Sequence, residues 1–315
     1  MKKTLIALAV LGSIAGVAQA QSSVTIYGKL DQGLRKVTDQ KLQLTNRSNS
    51  RLGFKGAEDL GGGLSAIFQF ENRFFADTGA DQGPLFKAQS NVGLKGNFGT
   101  VRLGRIYNPV DDISAGLDPF GQDGIGAMQT NALLRVRQNN SIRYDSPNFS
   151  GFGVQAIYQL DEEDTLPVVQ QNDGYGVSAT YNNGPITAAA GWNRVANTND
   201  SDYWNIGGGY AFGPAKIIAL YEDAEINTNN TDQKNALIGL AYNIGAGTIN
   251  ASFGRLKTET ATTSFADKKL ALGYTHNLSK RTSLYANASR TNLDVPTATG
   301  EDNINAAEIG VTHNF

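Results

Sequence analysis

From Val24 onward the chain alternates apolar and polar positions with a period of two. Val24, Ile26 and Leu30 fall on one side, and Thr25, Tyr27, Lys29 and Asp31 on the other. Leu52 and Phe54 alternate with Arg51, Gly53 and Lys55. Beyond the turn signal Glu58-Asp59-Leu60-Gly61-Gly62-Gly63, Leu64, Ala66, Phe68, Phe70 and Phe74 alternate with Ser65, Gln69, Glu71 and Arg73. This is the pattern of strands in a sheet with one apolar and one polar face.

The second half repeats it. Tyr175, Val177, Ala179 and Tyr181 oppose Gly176, Ser178, Thr180 and Asn182, and the same alternation returns through Trp192, Ile206, Ile217, Leu240, Phe253, Leu272 and Ala286 to Val311, His313 and Phe315. Short Gly- or Pro-bearing turns at 61–63, 96–99, 147–151, 183–185, 213–214, 245–247 and 278–280 alternate with longer polar connections. These lie at 38–48, 76–83, 106–135, 161–173, 195–202, 224–234, 257–267 and 292–303. Such a chain predicts about 16 strands, an even number that lets an up-and-down barrel close. The expected fold is all-β, a 16-stranded antiparallel transmembrane β-barrel. Its apolar face meets lipid and its polar face lines a water-filled lumen, and Tyr181, Trp192, Tyr210 and Phe212 near the strand ends suit the headgroup level.

Composition agrees with that reading. The chain has 315 residues, of which 40% are hydrophobic and 18% charged. Its mean hydropathy of -0.31 excludes a helical membrane protein but not a barrel, whose alternation keeps the mean ordinary. Lys2, Lys3, the apolar run Leu5–Val17 and Ala18-Gln19-Ala20 predict a secretory signal peptide over 1–20, leaving 21–315 as the barrel. Cysteine is absent, and a closed barrel holds together by hydrogen bonding without disulfides. The net charge is -2, too mild to point to nucleic acid as a partner.

The connection at 106–135 is unusually long for a compact domain, and such loops are usually functional. It shows no sustained period and carries Asp111, Asp112, Asp118 and Asp123. Parity sends Lys29, Arg51, Arg73, Arg102, Arg137 and Arg143 to the lumen, with Glu71 among them. We expect the acidic loop to fold back into the barrel opposite this basic wall. The two would form a pore constriction with a field across a narrow wet passage.

Segments along the chain resemble the Gram-negative trimeric general porins, above all their β-proteobacterial branch. They are Ser23-Val24-Thr25-Ile26-Tyr27-Gly28-Lys29, Ser50-Arg51-Leu52-Gly53-Phe54-Lys55-Gly56, Val92-Gly93-Leu94, Phe98-Gly99, Leu103-Gly104-Arg105, Pro119-Phe120-Gly121, Asn140-Ser141-Ile142-Arg143-Tyr144 and Gly310-Val311-Thr312-His313-Asn314-Phe315. The resemblance implies an outer-membrane homotrimer in contact with lipid and lipopolysaccharide, with the third external loop folded into each lumen for passive diffusion of small hydrophilic solutes and ions. By position, Lys29, Arg51 and Arg137 match the family's basic cluster, and Asp111, Asp112 or Asp118 its acidic loop. Where relatives often place another Arg on the fourth strand, this chain has Phe86-Lys87-Ala88-Gln89. There Lys87 substitutes only if the strand shifts parity. The terminal Phe315 is similar to the signal used by the outer-membrane assembly machinery.

Other chemistry finds little support. The histidines are His276 and His313, both on the apolar parity, so no catalytic site is expected. Asp161-Glu162-Glu163-Asp164 lacks calcium-loop spacing, and Gly207-Gly208-Gly209 lacks the Lys-Ser/Thr of a phosphate loop, so neither metal nor cofactor is expected. The rival functions are a surface-binding adhesin barrel, in which the pore is incidental, and an outer-membrane hydrolase built around His276.

Overall fold

The computed structural model describes residues 23–129, 137–160, 173–195 and 201–315. The predicted signal peptide and the Asp161–Asp164 cluster lie outside them. The strands are β1 (Ser23–Val37), the short β2 (Gln43–Thr45), β3 (Ser50–Gly61), β4 (Leu64–Phe74), β5 (Gln89–Gly96), β6 (Gly99–Tyr107), β7 (Arg137–Asp145), β8 (Phe152–Gln159) and β9 (Gly174–Asn183). They continue as β10 (Ile186–Arg194), β11 (Asp202–Phe212), β12 (Ala215–Ile226), β13 (Thr231–Ile244), β14 (Gly247–Glu259), β15 (Ser264–Asn277), β16 (Thr282–Asn292) and β17 (Asn303–Asn314). One helix, α1 (Pro109–Gly116), follows β6.

Every ladder is antiparallel between sequence neighbours, apart from the ones that close the ring. There β1 pairs with β3 through Ser23–Lys29 and with β17 through Lys29–Val37, while β2 lies against Gly33–Arg35. Gly28 and Phe315 exchange both backbone bonds, N–H to O at 3.0 and 3.1 Å. The result is a closed 16-stranded barrel with β2 as a short addition, and closure removes the unpaired edges that hydrocarbon cannot solvate.

The wall is apolar outside and polar inside. Ile206 is 53% exposed and Ile238 63%, while Asn205 and Asn235, on the opposite parity of the same strands, are each 1% exposed. So broad an exposed apolar surface is what lipid covers. On the outer face Tyr175 packs on Trp192, Trp204 on Tyr221, and Tyr210 on Phe212. From Trp204 to Phe212 the strand runs about 26 Å at about 3.3 Å per residue, enough to cross most of a hydrocarbon band.

Two connections are shorter than the residue pattern predicts. The ladder runs on to Ile226↔Thr231 and to Glu259↔Ser264, so 227–230 and 260–263 alone turn the chain. Where a hairpin rises above the lipid both faces are wet, alternation fades, and paired strand resembles loop in sequence.

Candidate functional site

Cross-strand register stacks the cations of the first strands. Lys29 lies opposite Arg51 on β3, and Arg51 opposite Arg73 on β4. Like charges directly opposite one another are unfavourable, and one buried acid offsets them. Glu71 Oε1 is 3.2 Å from Arg73 Nε and 3.8 Å from Arg51 Nη1, and Glu71 also accepts from the Tyr27 hydroxyl at 3.2 Å. Tyr107 holds the other side. Its hydroxyl accepts from Arg73 Nη2 at 2.5 Å and from Arg137, whose guanidinium sits 4.3 Å over the Tyr107 ring. The register slips between Gly104 and Ile106, where Gly104 and Asn140 take φ of 126° and 50°. Such a bulge re-aims side chains, and beyond it Tyr107 and Arg137 face each other across the ladder.

The segment after β6 begins with a capped helix. The Asn108 side chain accepts from Val110 N at 2.9 Å, Pro109 starts the helix, and Asp111 and Asp112 fill its first turn, each favourable at a helix N-terminus. Arg143, 4% exposed, fixes this start. Its Nη2 is 2.7 Å from Asp112 and 2.8 Å from Asp145, while its Nη1 donates to Tyr107 O at 2.8 Å.

The apolar side of α1 and the residues after it pack on β11–β13. Val110 meets Tyr203, Ala224 and Ile226, and Ile113, Leu117 and Met128 meet Ile218, Leu220 and Leu237. Polar contacts reinforce these. Asn205 Nδ2 donates to Val110 O and Ser114 Oγ, both at 2.9 Å, and Ser114 donates to the buried Glu222, which also accepts from Asn235 at 3.0 Å. Farther along, Lys269 Nζ donates to Ala127 O at 2.7 Å and Ile125 N to Glu308 at 3.3 Å. Gly124, at φ 66°, passes so close to Glu308 and Arg47 that a Cβ would collide with both. Glu308 is itself held by Arg35 at 2.7 Å and Asn287 at 2.8 Å. Residues 108–128 thus bear on the same parity of β11–β17 that is opposite the exposed apolar positions.

Asp118 is turned toward its own segment. Its carboxylate accepts from the backbone of Phe120 at 3.0 Å and of Gln122 and Met128 at 2.9 Å. Burial raises its pKa above the usual carboxylate value, although the three N–H donors and Lys269 oppose that.

A cavity of about 490 Å³ brings Arg51, Arg73, Lys87 and Arg137 together with Asp111, Asp112 and Asp123. Lys87 precedes β5, so strand parity does not bind it. Lys29 donates to Ser48 Oγ at 3.2 Å beside this cavity's Arg51. Arg102 is elsewhere: it pairs with Asp145 at 2.5 Å and lines a second cavity. Tyr107, Glu222 and Glu308 escape the sequence reading. For the surroundings of Glu222 the advance signal is that Ile218, Leu220 and Leu237 are apolar at positions where the alternation demands polar. Within the connection that shows no sustained period, α1 is a local element, and its Asn-Pro-x-Asp-Asp start is a helix signal. His276 Nδ1 lies 3.0 Å from the Tyr274 hydroxyl and His313 Nδ1 2.9 Å from that of Thr282.

The family model described as Gram-negative porin matches residues 7–296. The chain belongs to the Gram-negative porin family. Outer membrane porin protein 32 of Delftia acidovorans is 37% identical to this porin over 91% of this chain and 88% of that one. An outer membrane porin protein of Bordetella pertussis is 29% identical over 92% and 94%. Among solved structures, the anion-selective porin from Comamonas acidovorans superposes with a TM-score of 0.84 at 30% identity, covering 93% of this chain and all of that one. This porin is an outer-membrane channel for passive diffusion of small hydrophilic solutes and ions.

Proposed function

We propose that residues 108–129 fold into the lumen and narrow it, with Arg51, Arg73, Lys87 and Arg137 of the wall facing Asp111, Asp112 and Asp123 across the passage. The shared cavity of these residues carries the proposal. Lys29 adds to the basic side, whereas Arg143 and Asp118 position the segment, and Arg102 acts nearer the short-turn rim. Opposed charges across a narrow wet gap orient dipolar solutes and steer ions. Asp111 is buried and Asp112 is paired with Arg143, so the cations dominate what a passing ion meets and the channel favours anions. The Comamonas acidovorans porin is described as having that same preference.

The native assembly is a homotrimer in lipid and lipopolysaccharide, exported by a signal peptide over residues 1–20. A Vibrio cholerae outer membrane protein of similar fold, TM-score 0.73 at 18% identity, has itself been solved in a trimer form. Reversal potentials in a KCl gradient across a planar bilayer test the constriction. Wild type is expected to favour chloride, and Arg51→Ala with Arg137→Ala to cut the chloride-to-potassium permeability ratio about two- to threefold. An unchanged ratio would remove both residues from the narrowest point.

A further inference from the structure

Below the charged cavity, toward the short turns, the wall builds a second recess of about 480 Å³. Register fixes its layout. Lys55 lies opposite Gln69, and below that row Ala57, Ile67, Gly93 and Arg102 stand side by side across β3–β6. Ser65, Lys95, Thr100 and Asp145 form the row beneath. The recess therefore has a small apolar floor, Ala57 and Ile67, rimmed by Lys55, Lys95 and Arg102.

Two features set this floor apart from the channel charges above it. First, Ile67 is a bulky aliphatic group on the lumen-facing parity that, among the described residues, joins no buried cluster, unlike Ile218, Leu220 and Leu237, which pack with Ile113, Leu117 and Met128. Second, Asp145 is engaged by both Arg102 and Arg143. Lys55 and Lys95 are exposed, and among the described residues neither enters an ion pair. Lys55 instead reaches over the Tyr27 ring, with Nζ 5.2 Å from its centroid. The lining carries three cations against one acid.

We propose that this recess is a binding subsite, separate from the constriction, for monocarboxylates bearing a short apolar or aromatic body. The carboxylate sits between the Lys55 and Lys95 ammonium groups and the body lies on Ile67 and Ala57. A small inorganic anion uses the lysines but gains nothing from the floor. A neutral ring gains the floor without the lysines. Occupancy of the recess delays the solute inside the channel and obstructs chloride, which shares the passage.

The test is block of single-channel chloride current in planar bilayers by probes added to the short-turn side. Benzoate is the probe, lactate supplies the charge without the ring, and benzyl alcohol the ring without the charge. Benzoate is expected to block at lower concentration than either control. Lys55→Gln with Lys95→Gln should weaken its block about fivefold, and Ile67→Ser about threefold, as for loss of exposed charge contacts and of a few buried methyl groups. Block is read relative to each variant's own unblocked current, and the reversal potential of Arg51→Ala is measured beside it, so that failure of the subsite and failure of the constriction proposal are read separately. The lysines are exposed and neither enters an ion pair among the described residues, which keeps the test available should Ile67→Ser impair assembly. Equal block by lactate and benzoate, or benzoate block that ignores the double lysine change, overturns the proposal.

Discussion

The two arcs of the inner wall use opposite means. Along β1–β7 it presents guanidinium and ammonium groups beside a few acids, Glu71 with Arg51 and Arg73, and Asp145 with Arg102 and Arg143. Along β11–β17 it presents amides, buried carboxylates and a few aliphatic groups, and residues 108–128 bond to or pack on Asn205, Ile218, Leu220, Glu222, Leu237 and Glu308. One arc lines the charged cavity and the other docks residues 108–128. Net charge alone misses this division, because Glu222 and Glu308 hold backbone and side-chain donors of the docked segment and are not displayed to ions.

The contrast breaks most visibly if the dock is spoiled. Leu117→Asn with Leu220→Asn puts amides into a dry contact worth about 2–5 kcal/mol per leucine. Single-channel conductance is expected to rise while the folded barrel persists on a gel run without heating; unchanged conductance would mean that the segment does not restrict flow. A smaller effect follows from Arg143→Ala. It strips the cation from Asp112 and Asp145, and with Asp112 half exposed the loss should be about 2 kcal/mol, seen as a lower urea midpoint in micelles with the barrel still formed.

The least effect concerns Asp118. Its pKa is raised in the folded segment by burial, so the segment binds a proton more readily than the detached chain. The resulting contribution to docking is fully present below the ordinary aspartate value and is lost as pH rises through the raised one. Conductance fluctuations of wild type should therefore grow modestly from pH 4 toward neutrality, about the range set by a carboxylate shift, and Asp118→Asn should flatten that slope.

Much of the fold was legible because alternation reports which face a side chain takes. It does not report height. Lys29, Arg51 and Arg73 share both face and level, but Arg102 shares only the face, and its place beside Lys95 and Asp145 depends on cross-strand register. The same gap hid Tyr107, which joins the cluster only past the Gly104 bulge. Ile218, Leu220 and Leu237 were visible as breaks in the pattern. Their meaning required knowing that a helix eight residues long lay opposite, and its start was obscured by the lack of a sustained period in so short an element.

The seam between Gly28 and Phe315 has a consequence for biogenesis. Because β17 completes the ring against β1, the cylinder cannot shut until both strands have left the ribosome. The N-terminal strand waits with an open edge for the whole of translation and export. A chain cut before β17 would reach the membrane with the edge of β1 from Lys29 to Val37 unpaired.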